Sequence, residues 1–416
     1  MASSGAAHSD VIVIGAGLAG LACTADLLRA GLTVRLLEAS DAVGGRMRTD
    51  TVDGFRLDRG FQVFNTSYPQ VKRRLDLAAL RLRPFTPGLL LDHDGERVRL
   101  GDPTRRPHPV ADLIPGRFAS ARDLGALALF SARDLLAPPA LLRRGPERTT
   151  RAALSAAGVS SALIETLLRP FLAGVFLEDG LETSSRFFHL VWRSMLRGSL
   201  CLPAAGIRAV PDQLAAALPG GTVRLRSPVL ELQDGGVVLG DGTSLSAGTV
   251  VVATGASAAH ALLPTLKIPA GRSVTTHYHA AARSPLAEPT LLVDGAGMLL
   301  HTSVLTEVAP TYSTDGRALI SSSLLAPETP GQEAAVRSRL AELYRTDTSD
   351  WEHIGCRTVI DALPAMTSPH PLMRGTRLEP GRYICGDHRA TGSVQGALAS
   401  GSRAARDILA DRRQGA

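Results

Sequence analysis

Three glycines near the start of the chain have the spacing of a loop that binds the phosphates of a dinucleotide. Gly15, Gly17 and Gly20 follow the β-branched run 10–14 and open an Ala- and Leu-rich segment. In such a loop the first glycine permits a tight turn, the second lets the backbone approach a pyrophosphate, and the third lets the helix pack closely on the strand. The N–H groups at the start of the helix, about residues 18–30, would then bind the phosphates.

An acidic residue, Glu38, follows the second predicted strand, 33–37. It lies near the distance of about 20 residues from the glycine loop at which a carboxylate accepts hydrogen bonds from a ribose. A lone Gly-x-Gly-x-x-Gly pattern often marks a structural turn, but here strand, loop, helix, strand and acid follow in the expected order. We therefore predict that residues 10–38 bind a dinucleotide.

A second glycine- and acid-bearing run stands near the other end of the chain. A short apolar strand, 383–385, ends in Gly386 and Asp387, and a helix is predicted for 402–412. Between them lie Gly392, Ser393, Val394, Gln395 and Gly396. A solvated terminal helix does not need so many glycines, because each one costs conformational entropy on folding. The run is therefore unlike the lead-in of a plain solvated helix.

These two runs, together with Gly44, Gly45 and Arg46 after the first acid, resemble the flavin-dependent amine oxidase, phytoene desaturase and protoporphyrinogen oxidase superfamily. The resemblance spans the chain and is most specific in 10–62 and 383–408. It implies that Gly44 and Gly45 bring backbone close to FAD and that Arg46 contacts its phosphates. Simple NAD dehydrogenases do not need this Gly-Gly-Arg run, so the resemblance favours FAD.

The resemblance also implies roles for the C-terminal run and for the middle of the chain. Asp387 would accept a hydroxyl of the ribityl chain, and Val229 would contact the adenine. N–H groups at the helix start around Val394 and Gln395 would stabilise negative charge on reduced flavin. Ser393, just before them, is also expected to contact the cofactor.

Cofactor-binding residues at both ends and in the middle of the chain imply a discontinuous domain. The predicted fold is α/β, with a Rossmann-like FAD-binding domain and an α+β substrate domain. The FAD-binding domain is expected over 8–75, 205–265 and 352–416, and the substrate domain over 76–204 and 266–351. Periodicity predicts helices within 118–172 and strands within 272–325. The substrate would lie between the domains, against the flavin.

Arg59 and Gln62 are the first candidates for catalytic polar groups near the flavin ring. They follow the Gly-Gly-Arg run, in a stretch that passes the ring in the superfamily. For Arg59 the simpler alternative is an ion pair with Asp58 or with an acid on the surface.

His279 is the third catalytic candidate, on a predicted strand that also carries His277. Strand alternation places both histidines on one face, in a stretch where amine oxidases of the superfamily usually have a lysine near the flavin. No lysine occurs here, and Lys267 comes too early, which weakens an amine oxidase assignment. No third ligand is evident, so no metal site is predicted. The simpler alternative is one histidine that faces solvent and one that is hydrogen-bonded in the core.

The charge composition does not favour a nucleic-acid partner. The formal net charge is +6, but only two of the 45 basic residues are lysines, and aromatic residues make up 4%. The chain therefore lacks the basic stripe with stacking aromatics that nucleic-acid binding uses. Its four cysteines form no Cys-x-x-Cys pair and are typical of buried thiols in a reducing compartment. Since Cys385 lies within a strand, the FAD is expected to be non-covalent.

No signal peptide or membrane-spanning segment is predicted. The first ten residues lack a basic and an apolar stretch, and no run of 18 apolar residues occurs, so a cytoplasmic protein is expected. The Ala- and Leu-rich segment from Phe118 to Leu142 carries Arg122, Arg133 and Arg143. Such a segment usually packs on a core. Peripheral contact with an anionic membrane is the second hypothesis for it.

The function expected from these features is FAD-dependent removal of hydride from carbon. The missing lysine and the apolar substrate domain favour desaturation or dehydrogenation of a small lipophilic or isoprenoid-like substrate. Oxidation of a C–N bond by a flavin amine oxidase is the alternative. The GDP dissociation inhibitors share the fold as binding proteins without flavin chemistry, but their dinucleotide motifs are degenerate, whereas the motifs here are intact. The sequence predicts neither the electron acceptor nor the oligomeric state.

Overall fold

The computed structural model describes residues 9–101, 119–325 and 327–414, so residues 1–8 and Phe118, discussed above, lie outside the described residues. The strands, in chain order, are β1 (Ser9–Ile14), β2 (Val34–Leu37), β3 (Thr49–Val52), β4 (Phe55–Asp58), β5 (Phe64–Asn65), β6 (Leu82–Pro84), β7 (Gly88–His93), β8 (Glu96–Gly101), β9 (Leu200–Pro203), β10 (Val223–Arg224), β11 (Val229–Gln233), β12 (Gly236–Leu239), β13 (Ser244–Val252), β14 (Gly271–Ala281), β15 (Leu292–Asp294), β16 (His301–Val304), β17 (Ala318–Leu324), β18 (Glu352–Pro364), β19 (Arg377–Glu379) and β20 (Arg382–Ile384).

The α-helices are α1 (Leu18–Arg29), α2 (Pro69–Arg74), α3 (Ala121–Leu136), α4 (Pro139–Arg144), α5 (Thr150–Ala156), α6 (Ser161–Leu163), α7 (Arg169–Phe176), α8 (Ser185–Arg197), α9 (Ala209–Ala216), α10 (Ala256–Leu262), α11 (Leu305–Val308), α12 (Gln332–Tyr344) and α13 (Val394–Gln414). A π-helical turn, Ile164–Leu168, joins α6 to α7. Within the described ranges, no helix combines the length and the apolar character that crossing a bilayer requires.

An eight-stranded sheet carries the predicted dinucleotide-binding unit. Its main path runs β10-β2-β1-β13-β12-β11, and β20 pairs with β13 and β19. β1 lies between β2 and β13 and is parallel to both. A parallel strand in this place is covered on both faces, which is why Val11, Val13 and Ile14 are almost fully buried. This part of the fold is Rossmann-like, as predicted.

The two ends of the chain meet on this sheet. Since β20 is parallel to β13, the carboxyl ends of β1, β13 and β20 lie at one edge, where such sheets bind ligands. After β20, α13 packs on α1. A Cβ atom on Gly401 would lie 2.1 Å from the carbonyl oxygen of Ala19, so glycine allows this close approach. The N-terminal glycine loop and the C-terminal Gly386-Asp387 run are thereby brought to the same edge.

A seven-stranded sheet, in the order β18-β14-β17-β16-β15-β7-β8, forms the second large layer. Its neighbouring strands are antiparallel except for β15 and β7. The sequence analysis assigns 352–364 to the FAD-binding domain, but these residues form β18 and pair with β14 from Gly271 to Ala280. In the structure β18 is thus the edge partner of the long β14 in the second sheet. The domain boundaries stay a prediction.

A buried hydrogen-bond network joins the hairpin β3–β4 to the second sheet. The carboxylate of Asp58, 3% exposed, accepts hydrogen bonds from the Thr49 hydroxyl (2.5 Å), the Ile207 N–H (3.0 Å) and the Tyr312 hydroxyl (2.9 Å). Tyr278 on β14 donates to the Asp58 carbonyl oxygen at 2.6 Å. Burial raises the pKa of Asp58 from 3.8 to about 6, although the three bonds oppose it.

The raised pKa of Asp58 predicts that stability is lost between about pH 4 and pH 6. The folded state favours the neutral carboxyl, so its contribution is fully present below the unfolded pKa and is lost as the pH rises through the folded pKa. About two pKa units correspond to about 3 kcal/mol. From pH 4.5 to pH 7.5, the apparent Tm of Asp58→Asn should therefore fall by less than that of the wild type. Asp53→Asn, at an exposed turn position that asparagine tolerates, should keep the wild-type slope. An unchanged slope in Asp58→Asn would contradict the prediction.

Candidate active site

A cavity of about 780 Å³ lies at the edge of the Rossmann-like sheet, beyond the carboxyl ends of β1, β13 and β20. The predicted cofactor-binding residues that line it are Gly15, Gly17, Glu38, Gly44, Gly45, Arg46, Val229, Gly386, Asp387, Ser393 and Val394. Arg59 and Gln62 line it as well, whereas Gly20, Gln395 and His279 are not part of its lining. The structure thus brings together residues from both ends and from the middle of the chain.

The start of α1 leaves room and hydrogen-bond donors for an anion. Gly17 is the N-cap residue and provides no side-chain cap, so the N–H groups of the first turn remain available to a ligand. A Cβ atom on Gly17 would meet no atom within 4 Å, and one on Gly45 would lie 3.6 Å from the Gly17 Cα. The two glycine runs therefore face each other across a gap without side chains, which fits a pyrophosphate.

The other two glycines of the loop, Gly15 and Gly20, allow its tight turn and the close packing of α1 on β1. Gly15 has φ +102°, a conformation that side-chain-bearing residues rarely adopt. A Cβ atom on Gly20 would lie 1.9 Å from the Gly15 carbonyl oxygen. The close packing of helix on strand that the pattern assigns to Gly20 is therefore present, although Gly20 does not reach the cavity.

The carboxylate of Glu38, only 9% exposed, holds the loop in place. One of its oxygens accepts a hydrogen bond from the N–H of Ala16 (2.7 Å), and the other accepts bonds from the N–H (3.0 Å) and hydroxyl (2.8 Å) of Ser40. A carboxylate offers about four acceptor positions, so Glu38 keeps capacity for a ribose hydroxyl. The structure thus adds to the predicted ribose contact a second task, which is to fix the phosphate loop.

Arg46 and Asp387 link the N-terminal and C-terminal runs directly. The Arg46 guanidinium lies 2.6 Å from an Asp387 carboxylate oxygen and donates to the carbonyl oxygen of Ala362 at 2.8 Å. The Asp387 carboxylate raises the pKa of Arg46. Both side chains line the cavity. In this structure they bind each other, whereas the resemblance implies that Arg46 binds a phosphate and Asp387 a ribityl hydroxyl. Their contacts with a cofactor stay predictions.

Arg59 forms an ion pair, as its simpler alternative describes, and the partner is the partly exposed Asp50 rather than Asp58. Its guanidinium donates to both carboxylate oxygens of Asp50, at 3.1 and 3.0 Å, and is 43% exposed. Gln62 donates to the backbone oxygens of Arg46 (2.7 Å) and Arg59 (3.1 Å). The side chain of Gln395 accepts a hydrogen bond from the N–H of Gln70 at 2.9 Å. A catalytic role for Arg59 or Gln62 therefore stays a prediction.

His279 is turned away from the cavity, which corrects the expectation that it lies beside the cofactor. Strand alternation puts Val274 on the face of β14 that lines the cavity and His277 and His279 on the opposite face, against α12. His279 contacts the Glu333 carboxylate at 3.0 Å, and burial lowers its pKa to about 4. Both histidines are buried, so neither faces solvent.

A histidine that the sequence analysis missed, His388, lies in the cavity lining. Its ring is 2% exposed, and neither ring nitrogen has a hydrogen-bond partner among the described residues. Burial lowers its pKa to about 4, so the ring is neutral near pH 7. Its position directly after Gly386-Asp387 was the available sequence signal.

The wall of the cavity that faces the Rossmann-like sheet is mostly apolar. Its apolar side chains come from β14, β18, the end of α7 and the stretch after Arg59, namely Phe61, Val175, Leu177, Val274, Val359 and Leu363. One carboxylate, that of Asp361 on β18, also lines it and accepts a hydrogen bond from the Ser257 hydroxyl. His301 packs behind it, with its ring centroid 4.4 Å from that of Phe61. The chain's two lysines, Lys72 and Lys267, are exposed and lie outside the cavity lining. This wall therefore suits an apolar ligand and offers it no ammonium group.

The cavity with its phosphate-binding loop is that of a flavoprotein, and comparison with known proteins agrees. The family model of flavin containing amine oxidoreductases matches residues 18–409. The chain belongs to this family of flavin-containing oxidoreductases, which favours an oxidoreductase over the binding-protein alternative. The glycine cradle at α1 and the buried acid behind it fit the dinucleotide part of such a cofactor.

Curated relatives of the chain act on different substrates. A putrescine oxidase of Kocuria rosea is 50% identical over 62 residues, 15% of this chain and 13% of the relative. A hydroxysqualene dehydroxylase of Rhodopseudomonas palustris is 27% identical over an alignment of 446 residues, 96% of this chain and 98% of the relative. The first relatives are matched over short parts of their length only.

The fold is also that of solved oxidoreductases. An oxidoreductase structure from Methanosarcina mazei has a TM-score of 0.71 at 16% identity and covers 96% of this chain and 99% of its own. At this identity the likeness shows a common fold and leaves the substrate open.

Proposed function

We propose that the chain binds FAD non-covalently and removes hydride from a carbon atom of a small, largely apolar substrate, in a desaturation or dehydrogenation. The observation that carries this proposal is a single cavity with two unlike walls. One wall is the glycine cradle and buried acid of the Rossmann-like sheet, and the other is formed by apolar side chains such as Phe61, Val274 and Leu363.

The chain's own residues would bind and orient the reactants. N–H groups at the start of α1 would hold the phosphates and Glu38 a ribose hydroxyl. The apolar wall would exclude water from the reacting carbon, and the neutral ring of His388 would offer one N–H donor and one acceptor nitrogen for hydrogen bonds. When bound, FAD supplies the hydride acceptor.

Non-covalent binding is supported by the places of the four cysteines. Cys23, Cys201 and Cys385 are buried, Cys356 is partly exposed, and none of the four lines the cavity. An apolar substrate is supported by the wall itself and by the absence of lysine from it. The name of the relative aligned over nearly the full length, a hydroxysqualene dehydroxylase, points to the same substrate class.

Oxidation of a C–N bond remains the second candidate, because the stretch matched to a putrescine oxidase is 50% identical. Against it stand the missing lysine and the apolar wall. Both candidates require the same cofactor, so only the substrate separates them.

Two measurements on purified protein test the proposal. Heat or acid should release free FAD from a yellow protein; flavin that stays with the denatured chain would overturn the non-covalent assignment. Under anaerobic conditions, apolar alkene or polyene precursors should bleach the flavin absorbance, while primary amines should not. Fast bleaching by amines alone would replace dehydrogenation with amine oxidation. Reduction by dithionite serves as the control that the bound flavin is competent.

A further inference from the structure

An apolar face on α3 and α4 is open to solvent. Leu129 and Leu136 on α3 and Leu141 on α4 have exposed fractions of 74%, 78% and 62%. Leu129 and Leu136 are seven residues apart and therefore lie on one side of the helix. We call these three residues the leucine face. Exposed large apolar residues elsewhere in the described chain are more scattered, and a cluster of them usually marks a surface that binds something.

The charges around the leucine face have one sign. Within 119–144 the only acidic residues are Asp123 and Asp134, and both are buried. Asp123 binds Ser120 and the N–H of Ser160, and Asp134 binds Arg133 and His189. The basic residues Arg122, Arg143 and Arg144, in contrast, are exposed. Because the acids are buried, this segment exposes leucines and arginines to solvent and no acidic side chain.

We propose that the leucine face docks on the surface of an anionic lipid bilayer. Leucine side chains would enter the boundary between headgroups and acyl chains, and the arginines would contact anionic headgroups. A protein partner fits less well, because leucine is under-represented in the hot spots of protein interfaces, and the exposed large apolar residues of 119–144 are all leucines. The helix lies flat on the protein, so docking is peripheral.

The leucine face lies on the substrate side of the molecule. On its inner side, α3 contributes Phe130 to a core cluster against which Val175 and Leu363 pack. These two residues also line the cavity. Docking would therefore bring the apolar wall of the cavity near the bilayer, from which an apolar substrate could enter. The entry of an apolar substrate from the bilayer rests on the proposed function, whereas docking of the leucine face does not.

Flotation of the full-length flavoprotein with vesicles tests the proposal. At low salt, the wild type should float with vesicles that contain phosphatidylglycerol and much less with pure phosphatidylcholine. The double variant Leu129→Glu/Leu136→Glu should lose at least about tenfold in binding. Each arginine removed, as in Arg143→Ala, should weaken binding about fivefold, since a basic residue near an anionic surface contributes about 1 kcal/mol. Leu378→Glu, at a partly exposed apolar position on β19 in the Rossmann-like sheet, is the control and should bind like the wild type.

Four results would overturn the docking proposal. The wild type could stay in the soluble fraction with both vesicles, or the double variant could float as well as the wild type. If instead the double variant changed the oligomeric state without lipid, a second copy of the chain would be the occupant. If it lost several degrees of apparent Tm without lipid, another part of the chain itself would cover the face. Flavin absorbance checks that each variant is folded, and vesicle binding without oxidation of apolar substrates would separate docking from the proposed function.

Discussion

Gly17→Val is expected to produce a folded protein that has almost no FAD. Gly17 has φ −72°, which valine can adopt, and a Cβ atom there would meet no protein atom within 4 Å. The side chain would instead fill the gap opposite Gly45 and block N–H groups at the start of α1. A charge-assisted hydrogen bond is worth about 1.5–3 kcal/mol, and more than one would be lost. The affinity for FAD should therefore fall at least about a hundredfold, as measured by titration of the apoprotein.

The matched control is Gly220→Val. Gly220 is exposed, lies outside the cavity lining and also has no atom within 4 Å of a Cβ position. This variant should keep wild-type flavin content. The apoproteins of both variants should melt within a few degrees of the wild type. Full flavin content in Gly17→Val would mean that the phosphates bind elsewhere.

The glycine loop could be predicted from the sequence because its parts are local. Gly15, Gly17 and Gly20 act through backbone conformation and close approach to neighbours a few residues away. The C-terminal run was recognisable for the same reason. Only the resemblance predicted that the two runs share one cavity. The pairing of β20 with β13, which brings them together, cannot be predicted from a local pattern.

The partner of Arg59 shows what local reasoning lacks. Asp58 and Arg59 are adjacent at the end of β4, so their side chains point to opposite sides. Asp58 is buried under Tyr312, while Arg59 reaches Asp50 on β3. The β3–β4 hairpin therefore separates the side chains of Asp58 and Arg59, so they form no ion pair with each other. The sequence analysis had not predicted this hairpin.

The positions of the histidines relative to the cavity could not be predicted for a related reason. The sequence places His277 and His279 on one strand face, and the structure agrees. Which face of β14 meets the cavity depends on how the second sheet lies against the first, and Val274 occupies that face. His388, in turn, is buried, and a single histidine after Gly386-Asp387 gives no local sign of burial.

Glu38 is the residue whose role changed most between sequence and structure. The sequence predicts an acceptor for ribose, while the structure also shows three hydrogen bonds from Ala16 and Ser40. The bond to Ala16 joins the carboxylate to the phosphate loop itself. Removal of the carboxylate should therefore disturb the protein in two ways that can be measured separately.

Glu38→Ala is expected to lower both the stability of the apoprotein and the affinity for FAD. A buried N–H left without a partner costs about 1–3 kcal/mol, so the apparent Tm of the apoprotein should fall by a few degrees. Loss of the ribose contact should add a tenfold to hundredfold weaker affinity. Ser40→Ala removes only one hydroxyl bond to Glu38 and should leave affinity close to that of the wild type. If Glu38→Ala weakened FAD binding but left the apoprotein Tm unchanged, the inference that Glu38 stabilises the phosphate loop would be wrong. If the Tm fell but the affinity for FAD stayed unchanged, the predicted ribose contact would be wrong.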